Sequence, residues 1–227
     1  MKKLPVNKTQ RLQKWFEKQK QWDNASYGEF MHLGANQTIF RIALQDETIT
    51  TNSLILDIAC AIGGNARWLA SLNGCKVYGI DIDQDALDAA NDLAEIENIS
   101  HLCEFTKAKA NNLPYPDSMF DFIISTDIFD PEEVKRVLRP GGKFLTLVLI
   151  DEKDISPSSL AVSWSLKIES EINVTDLALA FHRAKESEAK LLYQANLIDG
   201  REMIEIINAG IKPYTKGGQH YMLKLSS

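Results

Sequence analysis

The stretch Leu54-Ile-Leu-Asp-Ile-Ala-Cys-Ala-Ile-Gly-Gly64, with Val77-Tyr-Gly-Ile-Asp81 just downstream, decides how this sequence folds. Leu54 to Ile58 is a short apolar run of the kind that forms a buried strand. It enters a loop of very small residues, Ala59, Ala61, Gly63 and Gly64, and a helical pattern carrying Ala66, Leu69, Ala70 and Leu72 opens at once. Strand, small-residue loop and helix are what an adenosine-type ligand needs. The loop admits close backbone approach, and the helix start offers unpaired N–H groups. A second apolar strand then ends in Asp81, an acid placed to accept hydrogen bonds from ribose hydroxyls.

Two cofactor classes use such a unit. The nicotinamide fingerprint places glycines where this chain has Ala59, Ala61 and Gly64, and two of those three are missing. The chain instead has an acid at the strand end, Asp57, followed by small residues at every second position up to Gly63. This pattern, Asp57-Ile-Ala59-Cys-Ala61-Ile-Gly63, resembles motif I of the class I S-adenosylmethionine (SAM)-dependent methyltransferases, usually D-x-G-x-G-x-G. Ala59 departs from it mildly, since the first Gly is often Ala in that family, and Ala61 more sharply, putting a methyl group where backbone normally approaches the methionine moiety. Three later landmarks extend the resemblance from Leu54 to Ile150. They are Asp81, the passage Lys109-Ala-Asn-Asn-Leu113-Pro-Tyr-Pro-Asp-Ser-Met-Phe120-Asp, and the turn Arg139-Pro-Gly-Gly142.

The resemblance implies an α/β fold: a Rossmann-like, seven-stranded, mostly parallel sheet with helices on both faces and an antiparallel C-terminal strand. It implies SAM as cofactor, with Asp57, Ala59, Ala61 and Gly63 forming the loop around the methionine end. Asp81 and Ile82 would hold ribose and adenine, Lys109 and Ala110 would lie at the adenine edge, and Thr126 would line the mouth. Lys109 stands where the family usually has an Asp that accepts the adenine amino group, and a lysine cannot accept that bond. The implied reaction passes a methyl group to a small-molecule acceptor. In outline the chain is similar to the phosphoethanolamine and glycine/sarcosine enzymes, whose N-terminal segments close over cofactor and acceptor.

That comparison divides the chain into an N-terminal helical cap, 1–50, and a methyltransferase domain, 51–227, with a helical insertion at 151–198 over the acceptor site. Residues 9–22 read as an amphipathic helix, with Leu12, Trp15, Phe16 and Trp22 on one face, docking on the domain or over its mouth. A membrane-surface helix is the competing reading. Tyr27 and His32 are acceptor-site candidates in the aromatic stretch that follows, and Tyr27 with Asp127, beyond the fourth strand, are the proposed catalytic pair. Packed side chains with satisfied polar tips explain Tyr27 and His32 equally well. Asp130, with Pro131 and Glu133 after it, reads as a helix N-cap with a capping box.

Composition limits the partners. The chain has 227 residues, 44% of them hydrophobic, and a net charge of −6. Residues 1–20 hold seven basic residues against one acid, a balance of +6, so the remainder carries −12. An acidic body repels phosphates and argues against nucleic acid, and the N/D-P-P-Y-type motif of nucleic-acid methyltransferases is missing after the fourth strand. No apolar run reaches membrane-spanning length, so no membrane partner and a cytoplasmic location are expected. Cys60, Cys75 and Cys103 form no C-x-x-C pair and the four histidines are scattered, so no metal is expected. The acidic body, the carboxylates Asp127 and Asp130 beyond the fourth strand, and the aromatic residues Trp22, Tyr27 and Phe30 suggest a small acceptor, with an amine expected. A binding-only protein, or one using a modified SAM, is the alternative, prompted by Ala61 and Lys109. The sequence leaves the oligomeric state open. Beyond Ile150, two helices are expected near 158–171 and 175–196, then a helix after Asp199 and a closing hairpin near 211–215 and 219–225.

Overall fold

The computed structural model describes residues 35–126, 128–150, 155–195, 199–201, 203–204 and 218–226. The elements in chain order are α1 (Ala35–Ala43), β1 (Leu54–Ile58), α2 (Gly64–Asn73), β2 (Lys76–Asp81), α3 (Gln84–Ile96), β3 (Cys103–Lys107), β4 (Phe120–Thr126) and α4 (Pro131–Val137). Then follow β5 (Leu138–Ile150), α5 (Pro157–Ser163), β6 (Lys167–Asn173), α6 (Thr175–Gln194) and β7 (Gln219–Ser226). The strands form one seven-stranded sheet in the order β3-β2-β1-β4-β5-β7-β6. The pairings among β1 to β5 are parallel, and β7 lies antiparallel between β5 and β6.

Both faces of the sheet are covered, as parallel strands require. On one face, Ile55, Val77, Phe122, Ile124, Leu145 and Met222 pack with Ile39 and Phe40 of α1 and with Ala66 and Leu69 of α2. On the other, Leu56, Ile58, Ile123, Phe144 and Leu223 pack with Val134 and Val137 of α4 and Ala161 of α5. The strand order reverses at β1, with β2 on one side and β4 on the other, and such a switch point opens a crevice beyond the strands' carboxyl ends.

The helix expected at 158–171 stops at Ser163, and Lys167-Ile-Glu-Ser-Glu-Ile-Asn173 is the edge strand β6. Trp164 closes α5, and Ser165 takes a left-handed turn with φ 55°. Ile168, Ser170 and Ile172 are half-buried while the residues between them are exposed, a period of two. Alternating Lys, Glu and Ile can also decorate a helix; pairing with β7 decides for strand. The segment is therefore not a helix pair after β5, and its long helix, α6, lies between β6 and β7. The cap helix expected at 9–22 and the strand expected at 211–215 fall outside the described residues. Among the described residues, no helix is long and apolar enough to cross a membrane.

Candidate cofactor site at the sheet's switch point

β1 ends at Ile58, and the loop after it takes left-handed backbone at every second residue: Ala59 at φ 58°, Ala61 at φ 48° and Gly63 at φ 70°. Two backbone hydrogen bonds shape it, one to β2 and one within the loop. Cys60 N–H donates to the Ile80 carbonyl at 2.9 Å, and Gly63 N–H donates to the Cys60 carbonyl at 2.7 Å. Left-handed conformation is natural for glycine and costs an alanine about 1–2 kcal/mol. Ala59 and Ala61 therefore keep the backbone path of a glycine loop while lacking the glycines. Asp57, placed at the end of this unit, is buried within β1.

Gly63 is required by the chain's own core. A Cβ there would stand 2.5 Å from the Phe105 ring of β3, and one on Gly79 of β2 would stand 2.6 Å from the same ring. Phe105 thus lies across two bare backbones. α2 opens at Gly64 behind Gly63, an N-cap that makes no side-chain cap bond, and its first turn begins at the switch point.

Asp81 closes the loop. Its Oδ2 accepts the Ala61 N–H at 2.9 Å and its Oδ1 accepts the Asp83 N–H at 2.9 Å. Each carboxylate oxygen has a second lone pair, so Asp81 can hold the loop and still accept further hydroxyl donors. Ile82, next to it, is 67% exposed, an apolar side chain presented at the carboxyl end of β2. The residues fit an adenosine group: a carboxylate for vicinal hydroxyls, an apolar face beside it, and an uncapped helix start.

The passage 109–117 forms the next wall. Lys109 is exposed in a tight turn, with Asn112 N–H donating to its carbonyl at 3.0 Å, and Ala110 is half-buried. Ala108 N–H donates to the Asp81 carbonyl at 3.1 Å, tying the passage to β2. Its other side is held by α4, a device the sequence reading missed. Glu133 Oε2 accepts the Leu113 N–H at 2.7 Å, and Arg136 donates to the Leu113 carbonyl at 3.0 Å, the Tyr115 carbonyl at 2.7 Å and Asp117 at 2.9 Å. The Arg136 guanidinium holds the Glu133 carboxyl down at about 2. Glu133 is thus drawn into this clamp. Asp130 does cap α4, accepting from the amides of Glu132 and Glu133 at 3.0 and 3.1 Å. Acid-for-base spacing of three residues in α4 was the signal available in the sequence.

Arg67 was also missed. Fully buried in α2, it donates from Nε to the Ile62 carbonyl at 3.3 Å and pairs with Glu97 just after α3. It braces the loop from beneath. Burial pushes the thiols of Cys75 and Cys103 up to about 11 and about 12, so neither is a ready nucleophile.

At the end of β4, Thr126 is half-buried, and the Ser125 hydroxyl donates to the Ile128 carbonyl at 2.6 Å, folding the following loop back. The structure therefore gathers Asp57, Ala59, Ala61, Gly63, Asp81, Ile82, Lys109, Ala110 and Thr126 at or beside the carboxyl ends of β1, β2, β3 and β4. Tyr27, His32 and Asp127 lie outside the described residues.

Comparison with known proteins agrees with this geometry. Residues 55–142 match the family described as a methyltransferase domain. The sarcosine/dimethylglycine N-methyltransferase of Halorhodospira halochloris is 30% identical over 138 residues, 52% of this chain and 50% of that protein. The chain thus spans about half the length of that curated relative. In structure, a candidate sarcosine dimethylglycine methyltransferase from Galdieria sulphuraria superposes with a TM-score of 0.71 at 15% identity, covering 84% of each chain. The geranyl diphosphate C-methyltransferase of Streptomyces coelicolor A3(2), solved with S-adenosyl-L-homocysteine, superposes at 0.62 with 15% identity, covering 84% of this chain and 79% of that one. In its matched domain, its strand order and the acid at the end of β2, the chain is similar to the class I SAM-dependent methyltransferases.

Proposed function

We propose that this protein transfers the methyl group of SAM to a small-molecule acceptor, with amines the first class to test. The observation that carries the reading is the Asp81 carboxylate, which fixes the loop backbone and keeps lone pairs for ribose hydroxyls beside the exposed Ile82. Bound SAM supplies an electrophilic methyl group on a positively charged sulfur. The chain's part is to position and to handle protons. Asp81 accepts the ribose hydroxyls, Ile82 covers one face of the adenine, and the amides opening α2 face the ligand. Ala59, Ala61 and Gly63 shape the loop around its methionine end, with Asp57 beneath them. Lys109, Ala110 and Thr126 border the site. Tyr27 and Asp127 are the candidates for taking the proton that an amine releases on methylation.

The amine is supported by the acidic body of the chain and by the relative named for sarcosine and dimethylglycine. The same acidity supports a small molecule over a nucleic acid. The test is incubation with methyl-labelled SAM and a panel of amines, phenols and thiols, using wild type, Tyr27→Phe and Asp127→Asn. Labelled amine product that falls at least tenfold in either variant is expected. Product from phenols or thiols alone removes the amine. SAM binding without product from any acceptor or from a metabolite extract removes the transferase reading.

A further inference from the structure

An apolar groove opens at the edge of the sheet opposite the cofactor site. It encloses about 390 Å³ between the connection from α1 to β1, with Leu44 and Ile49, and the second half of α2, with Trp68 and Leu72. α2 leaves the loop at the carboxyl end of β1, and its last residue, Asn73, lines the groove. The groove is therefore a helix length away from Asp81. Leu72 is 60% exposed there. Arg41 of α1 stands at one side, with its guanidinium over the Trp68 ring, 5.6 Å from the centroid. Arg41 is exposed, and among the described residues no carboxylate pairs with it. The one acid in the lining, Glu47, is bonded to Lys224 at 2.6 Å. The groove thus offers apolar surface and an unpaired guanidinium, a lining that suits aromatic rings.

We infer that this groove is the docking site of the chain's own residues 9–22, anchored by Trp15 and Phe16. The amphipathic pattern of that stretch puts Leu12, Trp15, Phe16 and Trp22 on one face. An aromatic ring there covers the open side of Arg41 while Trp68 covers the other, a stacking that guanidinium groups favour. Reach allows it. α1 begins at Ala35 and has nine residues, about 13 Å of helix, whereas the linking residues 23–34 span up to about 40 Å when extended. Charge favours it as well. Residues 1–20 carry +6 and the remainder −12, and Asp46, between two lining residues, is exposed to the lysines of the stretch. The volume lies at the low end of the roughly 300–1,000 Å³ of small-molecule sites, which disfavours a free ligand. A tethered segment, held at an effective concentration of about millimolar, needs few contacts. Docked this way, 9–22 lies away from the cofactor mouth, and residues 23–34, which include Tyr27, lead from the groove back to the start of α1.

The test is hydrogen exchange on the full chain at two protein concentrations, comparing wild type with Leu72→Glu, Trp15→Ser and Leu191→Glu. Leu191 is exposed on α6 and serves as the control. Amides in 9–22 are expected to exchange about tenfold faster or more in Leu72→Glu, through loss of the apolar contact, and to be unchanged in Leu191→Glu. Amides in 44–49 should quicken in Trp15→Ser, which decides alone if Leu72→Glu fails to fold. Equal protection at both concentrations is expected of a segment docking on its own chain. Protection that grows with concentration gives the groove to a second copy and overturns the inference. Protection of 9–22 that needs S-adenosylhomocysteine and ignores Leu72→Glu overturns it by placing the stretch over the mouth. Protection that appears only with vesicles containing anionic lipid overturns it in favour of a membrane-surface helix.

Discussion

The Ala61 amide donates to the Asp81 carboxylate at 2.9 Å, joining the loop after β1 to the end of β2 in the free protein. Asp81 is therefore a structural brace as well as a cofactor ligand in the proposed function, and its removal should be felt without ligand. Asp81→Ala is expected to lower unfolding free energy in urea by roughly 2 kcal/mol, the scale of charge-assisted hydrogen bonds at a partly exposed site. It should also weaken S-adenosylhomocysteine binding in calorimetry. Unchanged stability would limit Asp81 to a ligand contact.

Ala61 holds φ 48° against its own side chain. Ala61→Gly should raise stability by roughly 0.5–1 kcal/mol, the left-handed penalty less the extra unfolded-state freedom of glycine. Ala66→Gly, a few residues on inside α2, should lower it by about 1 kcal/mol or more. Chemical denaturation of both variants reads the opposite signs.

Phe105 fills the space that a Cβ on Gly79 would need, with Cys60 Sγ only 2.8 Å away on the same side. Gly79→Ala should cost about 1–3 kcal/mol through overpacking. Adding Phe105→Leu should recover part of that loss, so the double variant is more stable than additivity predicts. A simple sum of the single effects would place the strain elsewhere.

Acid should loosen the clamp on Leu113. The folded-state pKa of Glu133 is lowered to about 2 from an ordinary 4.5, so its contribution is present above the unfolded value and is lost as pH falls toward 2. Wild type should be more stable than Glu133→Gln at pH 7, and the gap should close between about pH 5 and pH 2. Denaturation midpoints at a series of pH values check this. A gap independent of pH would assign the effect to the uncharged hydrogen bond at Leu113.

The region from Leu54 to Ile150 was legible because its signals are local. Apolar runs, small-residue loops, an acid at a strand end and a Pro-Gly-Gly turn each act over a few residues. Lys167 to Asn173 misled because its pattern suits helix or strand, and only β7, far along the chain, supplies the hydrogen bonds that choose. The loop's close backbone approach was implied by its small residues, while its left-handed path and the packing of Gly63 under Phe105 were not, since Phe105 comes from a distant strand.

The position of β7 has a consequence for biosynthesis. It is an interior strand, hydrogen-bonded on both sides, yet it follows α6 in the chain. While the ribosome is still adding α6, β5 has a bare apolar edge, Phe144-Leu-Thr-Leu-Val-Leu-Ile150, and β6 has no strand to pair with. Such an edge invites pairing with other chains. Nascent chains stopped before Gln219 should therefore bind chaperones and aggregate, and release of the segment through Ser226 should end both, as β7 enters the gap and completes the sheet in one late step.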